Sequence, residues 1–263
     1  MKSYDKCKIC GNKNVSVFNK KILNKYQISY YQCSSCGFIQ TEKPYWLNEA
    51  YSDAITSTDI GLINRNINYS NALEQVIYKN FNYKKRFLDY GGGYGMFTRI
   101  MRDKGFDFYH LDKYCQNLFA KHFTCDDIKP HKRKFELITA FEVMEHIYDP
   151  ISLLDEIFSM TNTFIFSTVT IPETNNIKNW WYLGTEHGQH LSFYSLKSLE
   201  TLAKKYKKNY FNSGELHTLT TKNFNIFDTS TIGKLSFIKK TLRHKSIKKL
   251  PSKTRNDYEF IRK

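Results

Sequence analysis

The sequence predicts an α/β chain built on a doubly wound, mostly parallel sheet, with a small metal-binding ribbon ahead of it. Strand-like apolar runs alternate with helical periods from residue 85 to 227, the pattern of a sheet covered on both faces. A glycine cluster, Gly91-Gly-Gly93-Tyr-Gly95, follows the first of these runs. Two Cys-x-x-Cys pairs stand within the first 36 residues.

A chain of 263 residues, 41% hydrophobic and 16% aromatic, is globular in composition and long enough for one sizeable core plus an appendage. It contains no apolar run of the roughly 18 residues that a membrane span needs. Its polar start, MKSYDKCK, lacks a signal peptide's apolar core, so a cytoplasmic location is expected. The formal charge is +15, of which +9 lies from Thr231 onward. No basic stripe with interleaved aromatics accompanies the glycines, which disfavours a nucleic-acid footprint.

Four segments follow. Residues 1–45 hold the paired cysteines, with a strand-like run at Gln27–Tyr31. Residues 46–81 read as a helical connector, with Leu73, Val76, Ile77 and Phe81 at helical spacing behind a Ser70/Asn71 cap. Residues 82–230 form the α/β domain. Its expected strands are Arg86–Tyr90, Phe106–Leu111, a third before Cys125, Phe135–Ala140 and Phe164–Thr168, closed by Phe211–Leu219 and Asn223–Phe227. Helices are expected at Tyr94–Lys104, after the Asp149-Pro150 cap, and at Leu196–Tyr206. Residues 231–263 form a basic tail with Leu235, Ile238 and Leu242 on one helical face, either packed on the domain or offered as a peripheral membrane or partner contact.

Cys7-x-x-Cys10 and Cys33-x-x-Cys36 are separated by 22 residues, and each pair sits in a turn context. In a reducing compartment such knuckles converge on a tetrahedral four-cysteine zinc site, structural because no coordination position stays open. Cys115 and Cys125 lie outside the set.

The glycines do not fit the dinucleotide fingerprint, whose third small position would fall on Met96 or Thr98. What stands there is Asp89-x-Gly91-x-Gly93-x-Gly95. This resembles motif I of the class I S-adenosylmethionine-dependent methyltransferases. A second acid, Asp112, ends the next strand 21 residues past Gly91. Cys125-Asp-Asp-Ile128 and Phe141-Glu-Val-Met-Glu-His146 then match later family positions. The resemblance covers about residues 85–227 and implies a Rossmann-like methyltransferase sheet. By resemblance, Asp89, Tyr90, Gly91, Gly93 and Gly95 cradle the aminocarboxypropyl end of S-adenosylmethionine and Asp112 grips its ribose. Asp126 and Asp127 would contact adenine, with Phe141 and Glu142 closing the site. A zinc ribbon ahead of such a core is similar to enzymes of bacterial capsule and surface-polysaccharide pathways.

Two stretches offer chemistry. Glu142-Val-Met-Glu145-His146 places two carboxylates and an imidazole on one face if it is helical. It resembles metal-dependent O-methyltransferases, with Glu142, Glu145, His146 and His190 as ligands of a catalytic divalent ion; the alternative is that Glu-His merely caps the loop. The second stretch, Trp180 to His190, sets aromatics beside His187 and His190, either of which is a candidate general base.

The expected function is therefore an S-adenosylmethionine-dependent O-methyltransferase with a small-molecule or glycan-precursor acceptor: a sugar, a nucleotide sugar, or a phosphate or phosphoramidate. The alternatives are a nucleic-acid methyltransferase using the ribbon and tail, and a zinc-ribbon scaffold without turnover.

Overall fold

The chain's N-terminal strands and its later alternation of strand and helix form two sheets that share a loop. The structure, a computed structural model, describes residues 4–52, 59–173, 176–223 and 249–262. Strands β1 (Asn14–Ile22), β2 (Tyr26–Cys33) and β3 (Ile39–Thr41) form an antiparallel ribbon. The short helix α1 (Leu47–Ala50) and the long helix α2 (Leu62–Asn80) lead out of it. Ser70 is not a cap. It lies inside α2, where its hydroxyl donates to the Ile67 carbonyl, and the helix starts two turns earlier than its apolar spacing suggests.

The main sheet has the order β5-β4-β6-β7-β10-β9. Strands β4 (Arg86–Tyr90), β5 (Asp107–Leu111), β6 (Leu137–Ala140) and β7 (Thr163–Ser167) are parallel, and β9 (Asn209–Ser213) and β10 (Leu216–Thr220) close it as an antiparallel hairpin. The single strand expected over Phe211–Leu219 is thus two strands. Gly214, at φ +63°, makes the turn between them, a conformation that glycine adopts without steric cost. The expected strand Asn223–Phe227 lies, beyond its first residue, outside the described residues. The strand expected before Cys125 is one parallel bridge, His110 to Thr124.

Helices α2 and α3 (Met96–Asp103) bury Leu73, Ile77, Phe97 and Met101 against one face of this sheet. Helices α4 (Pro150–Met160) and α5 (Leu196–Lys205) bury Leu154, Ile157, Leu199 and Leu202 against the other. Asp149 caps α4 by accepting from the backbone of Ile151 and Ser152, and Ser195 caps α5. The sheet is doubly wound, as its alternation predicts. Its order reverses around β4, which opens a crevice at the carboxyl ends of the strands where such folds take ligands.

The ribbon is not a free appendage. β3 pairs with β8 (Ser192–Phe193), a strand from the loop that precedes α5, through Ile39 with Phe193 and Gln40 with Ser192. A shared apolar cluster, including Ile22, Tyr30, Ile39, Trp46, Tyr182, Leu191 and Phe193, fills the seam.

The tail's Leu235, Ile238 and Leu242 lie outside the described residues. Its last helix, α6 (Thr254–Ile261), packs behind α3 through a carboxylate. Asp257 accepts a two-bond fork from Arg102 at 2.8 Å each, and Arg102 also donates to the Phe108 carbonyl. Both partners are buried, and the two arginines, Arg102 and Arg99, hold the Asp257 carboxyl below the usual carboxylate range against its burial. Asp257→Ala removes the fork but leaves Arg102 the Asp107 carboxylate at 3.1 Å, and is expected to cost about 1.5–3 kcal/mol at neutral pH. The folded value is the lower one, so this stabilisation is complete above about pH 4 and is lost as pH falls through the folded value. The gap in melting temperature between wild type and variant should therefore shrink in acid; a constant gap would deny the ion pair its role. Among the described residues no helix is long and apolar enough to cross a membrane.

Candidate active site

The loop after β4 turns through three glycines at positive φ, Gly91 at +67°, Gly93 at +54° and Gly95 at +84°. Only glycine is comfortable there, and the neighbours forbid side chains as well. A Cβ on Gly91 would lie 2.5 Å from Val143 Cγ2, and one on Gly92 2.5 Å from Asp89 Oδ2. Gly95 is the left-handed cap of α3, packed against Asn117 and Ala120; it does not reach the crevice. Asp89 lies beneath the loop, accepting from Thr98 and Thr139, and burial pushes its carboxyl up to about 7. It supports the floor and does not present an open charge.

Asp112 holds the other wall. Its Oδ2 accepts from Gly93 N–H at 2.9 Å, and its Oδ1 from Tyr114 and Cys115 N–H at 2.8 Å each. One lone pair on Oδ2 is left for a ligand. His110 donates from Nε2 to the Gly93 carbonyl, and burial lowers its basicity. Asp126 and Asp127 are elsewhere. Asp127 closes a capping box on Thr124, and Asp126 pairs with Arg133 in solvent, and neither lines the cavity beside the glycine loop. Tyr90 donates its hydroxyl to Glu156 on α4.

One cavity of about 780 Å³ runs from this loop to the Trp180–His190 segment, and Asp89, Gly91, Gly93, Asp112, Phe141, Glu142, Glu145, His146, His187 and His190 line it. The Glu142–His146 stretch is not a continuous helical turn. Glu142 has φ +54°, and only Met144–His146 form a short 3-10 turn. Glu142 is thereby turned away from the other two and pairs with the Ser167 hydroxyl, with Arg65 among the nearby charges. Glu145, His146 and His190 come together instead, with one ligand atom of each within 4.8 Å of the others.

Glu145 is fully buried, and neither carboxylate oxygen meets a donor among the described residues. The nearby hydroxyls of Tyr182 and Thr168 ease its charge; their bond to each other at 3.3 Å engages only one of the two protons. Burial first, then the Glu142 charge, pushes the Glu145 carboxyl up to about 8. Burial, reinforced by His187, lowers His146 to about 4. His190 is lowered well below its ordinary value by burial and by its two histidine neighbours, so these imidazoles are neutral near pH 7. The two candidate bases differ in what they keep free. His190 donates from Nδ1 to the Tyr182 carbonyl at 2.6 Å, leaving the Nε2 lone pair available. His187 has already spent its Nδ1 lone pair on Gln189 N–H, which argues against it as the base.

Residues that sequence reasoning passed over complete the cavity. Tyr51 bonds His146 Nδ1 at 3.1 Å and stacks on Tyr114, and the backbone of Gln189 also faces the His146 ring. Arg65, paired with Asp59, and Tyr69 reach in from α2. Their only sequence signal was membership of an aromatic-rich helical segment.

The four ribbon cysteines converge outside the cavity. Their Sγ atoms stand 3.4–3.7 Å apart where paired, Cys7 with Cys36 and Cys10 with Cys33 and Cys36. Zinc–thiolate bonds of about 2.3 Å in a tetrahedron put sulfurs about 3.8 Å apart, so the cluster fits zinc. Cys33 Sγ also accepts from the backbone of Ser35 and Cys36.

A family model described as a methyltransferase domain matches residues 64–207, more than half of the chain. The chain belongs to that family. No curated protein matches it. The chain is also similar to several solved structures. The plantazolicin methyltransferase BpumL is 12% identical, with a TM-score of 0.46 over 66% of this chain and 93% of its own. The magnesium protoporphyrin IX methyltransferase of Synechocystis PCC 6803 is 12% identical, with a TM-score of 0.43 over 66% and 90%. CalO1, a methyltransferase of calicheamicin biosynthesis, is 13% identical, with a TM-score of 0.41 over 68% and 60%.

Proposed function

We propose that this methyltransferase-family chain is an S-adenosylmethionine-dependent O-methyltransferase whose acceptor is a hydroxyl on a small molecule, such as a sugar or nucleotide sugar. The observation that carries this reading is the single cavity joining the Asp112–glycine wall to the Glu145–His146–His190 cluster. The first end suits a ribose and a zwitterionic amino-acid moiety, with backbone of Gly91–Gly93 on one side and the free Oδ2 lone pair of Asp112 on the other. A pyrophosphate is disfavoured there, because the Asp112 carboxylate already takes the Gly93 N–H.

When bound, S-adenosylmethionine supplies a sulfonium-activated methyl that needs no further activation. What remains for the protein is alignment and removal of the acceptor's proton. Transfer forms one O–CH3 bond, breaks one S–CH3 bond, and releases the hydroxyl proton to a base. The far end of the cavity supplies neutral Lewis bases, above all Nε2 of His190. Aromatic walls from Tyr51, Trp181 and Tyr182 suit the faces of a ring-shaped acceptor. The four-cysteine cluster, on this reading, holds zinc in a purely structural role.

Calorimetry with S-adenosylhomocysteine should show one site per chain with a dissociation constant in the micromolar range, about −8 kcal/mol. NADH should not compete. Nicotinamide binding in place of the nucleoside sulfide would overturn the assignment.

A further inference from the structure

We infer that Glu145, His146 and His190 form a second metal centre, a two-histidine, one-carboxylate site for a divalent first-row cation whose open positions face the acceptor. The inference builds on the proposed function by naming what activates the acceptor, and it replaces the ligand set expected from sequence. Glu142 is excluded, since its backbone turns away and its carboxylate is engaged by Ser167.

Three observations converge. The Glu145 carboxylate is wholly buried with both oxygens unpartnered among the described residues, although an uncompensated buried acid is among the most costly features a core can carry. A dication would supply the partner those oxygens lack. Second, both histidines are oriented as ligating histidines are. The Tyr182 carbonyl takes the Nδ1 proton of His190, and Tyr51 Oη holds Nδ1 of His146. His190 keeps its Nε2 lone pair, and His146 Nε2 stands 4.0 Å from Glu145 Oε1, with the Gln189 backbone also bonding its ring. Outer partners of this kind fix tautomer and ring angle at metal sites. Third, ligand atoms within 4.8 Å of one another need only a modest closure, since bonds of about 2.0–2.2 Å place ligands roughly 3–4 Å apart.

Two imidazoles beside one carboxylate favour manganese, iron(II), cobalt or zinc over magnesium. All three ligands line the cavity, so a cation enters from the acceptor side and keeps positions for acceptor oxygens. An oxygen bound there loses its proton more readily, because the cation stabilises the alkoxide. The Nε2 lone pair of His190 then serves the cation, and the proton leaves to water in the cavity.

The test uses full-length protein with its ribbon zinc in place and no methyl donor. Titration with Mn(II), followed by electron paramagnetic resonance and electron spin-echo modulation, should show one added cation per chain coupled to two imidazole nitrogens. His190→Ala should leave one nitrogen coupling and weaken binding beyond the about 10–100-fold that outer partners carry. Tyr51→Phe should weaken it within that range, and His146→Ala serves if Glu145→Gln fails to fold. No second cation at millimolar Mn(II) or Co(II), or an unchanged nitrogen count in His190→Ala, would overturn the inference. S-adenosylhomocysteine affinity, measured in parallel, separates this failure from failure of the cofactor reading: nucleoside binding without the cation sinks only the metal centre.

Discussion

Asp112→Ala is expected to weaken S-adenosylhomocysteine binding by at least about 100-fold, near 2.7 kcal/mol, while leaving the melting transition cooperative. The size follows from two losses at one position. The first is the only carboxylate at the tip of β5 with a lone pair to spare for a ligand hydroxyl, a charge-assisted bond worth about 1.5–3 kcal/mol. The second is the geometry of the floor itself. Asp112 ties Gly93 to Tyr114 and Cys115 through three backbone N–H bonds. Removing it frees the glycine loop on one side and the following turn on the other, so a ligand must order both on arrival. Asp112→Asn should be nearly as damaging. An amide has one acceptor oxygen, and its NH2 would face either Gly93 N–H or the pair from Tyr114 and Cys115. Unchanged affinity in the alanine variant would remove Asp112 from the site and with it the assignment of this wall to a ribose.

The positions that were legible in the sequence are those whose chemistry is local. Glycines at alternate positions after a buried strand, an acid at the next strand's tip, the Asp149-Pro150 cap and the two cysteine knuckles each constrain their own few residues, and each sits where its pattern places it. What could not be read is set by contacts distant in sequence. Glu142 shares a pentapeptide with Glu145 and His146, yet one positive φ sends it to Ser167. Asp126 and Asp127 sit at a family position, but nearer partners, Arg133 and Thr124, claim both. Tyr51 meets His146 across 95 residues, a pairing no local spacing reveals. The join of ribbon and core through β3 and β8 is equally invisible. A two-residue strand inside a polar loop carries no periodicity to detect.

That join ties the four-cysteine ribbon to the loop that carries His190, and the second large effect follows from it. Cys36→Ser is expected to abolish stoichiometric zinc, expose the ribbon to proteolysis, and cut turnover far more than S-adenosylhomocysteine affinity. Structural zinc contributes about 10–16 kcal/mol of apparent binding energy that a short segment has no other means to replace. Cys7, Cys33 and Cys36 belong to the cluster that also holds Tyr194 and Leu199, so losing the metal loosens the start of α5. Ser195 Oγ donates to the Cys36 carbonyl, Thr41 N–H to the Leu191 carbonyl and Trp46 Nε1 to the Gly188 carbonyl. These bonds bracket His190 on both sides, and its Nε2 is aimed only while they hold. The glycine loop and Asp112 stand on β4 and β5, at the opposite end of the cavity, and among the described residues neither strand pairs with the ribbon's sheet. Turnover and nucleoside binding should therefore separate in this variant. If both fell together, or if a zinc-free ribbon left the kinetics intact, the ribbon would be a tether for something else and not the frame that holds the histidine loop in place.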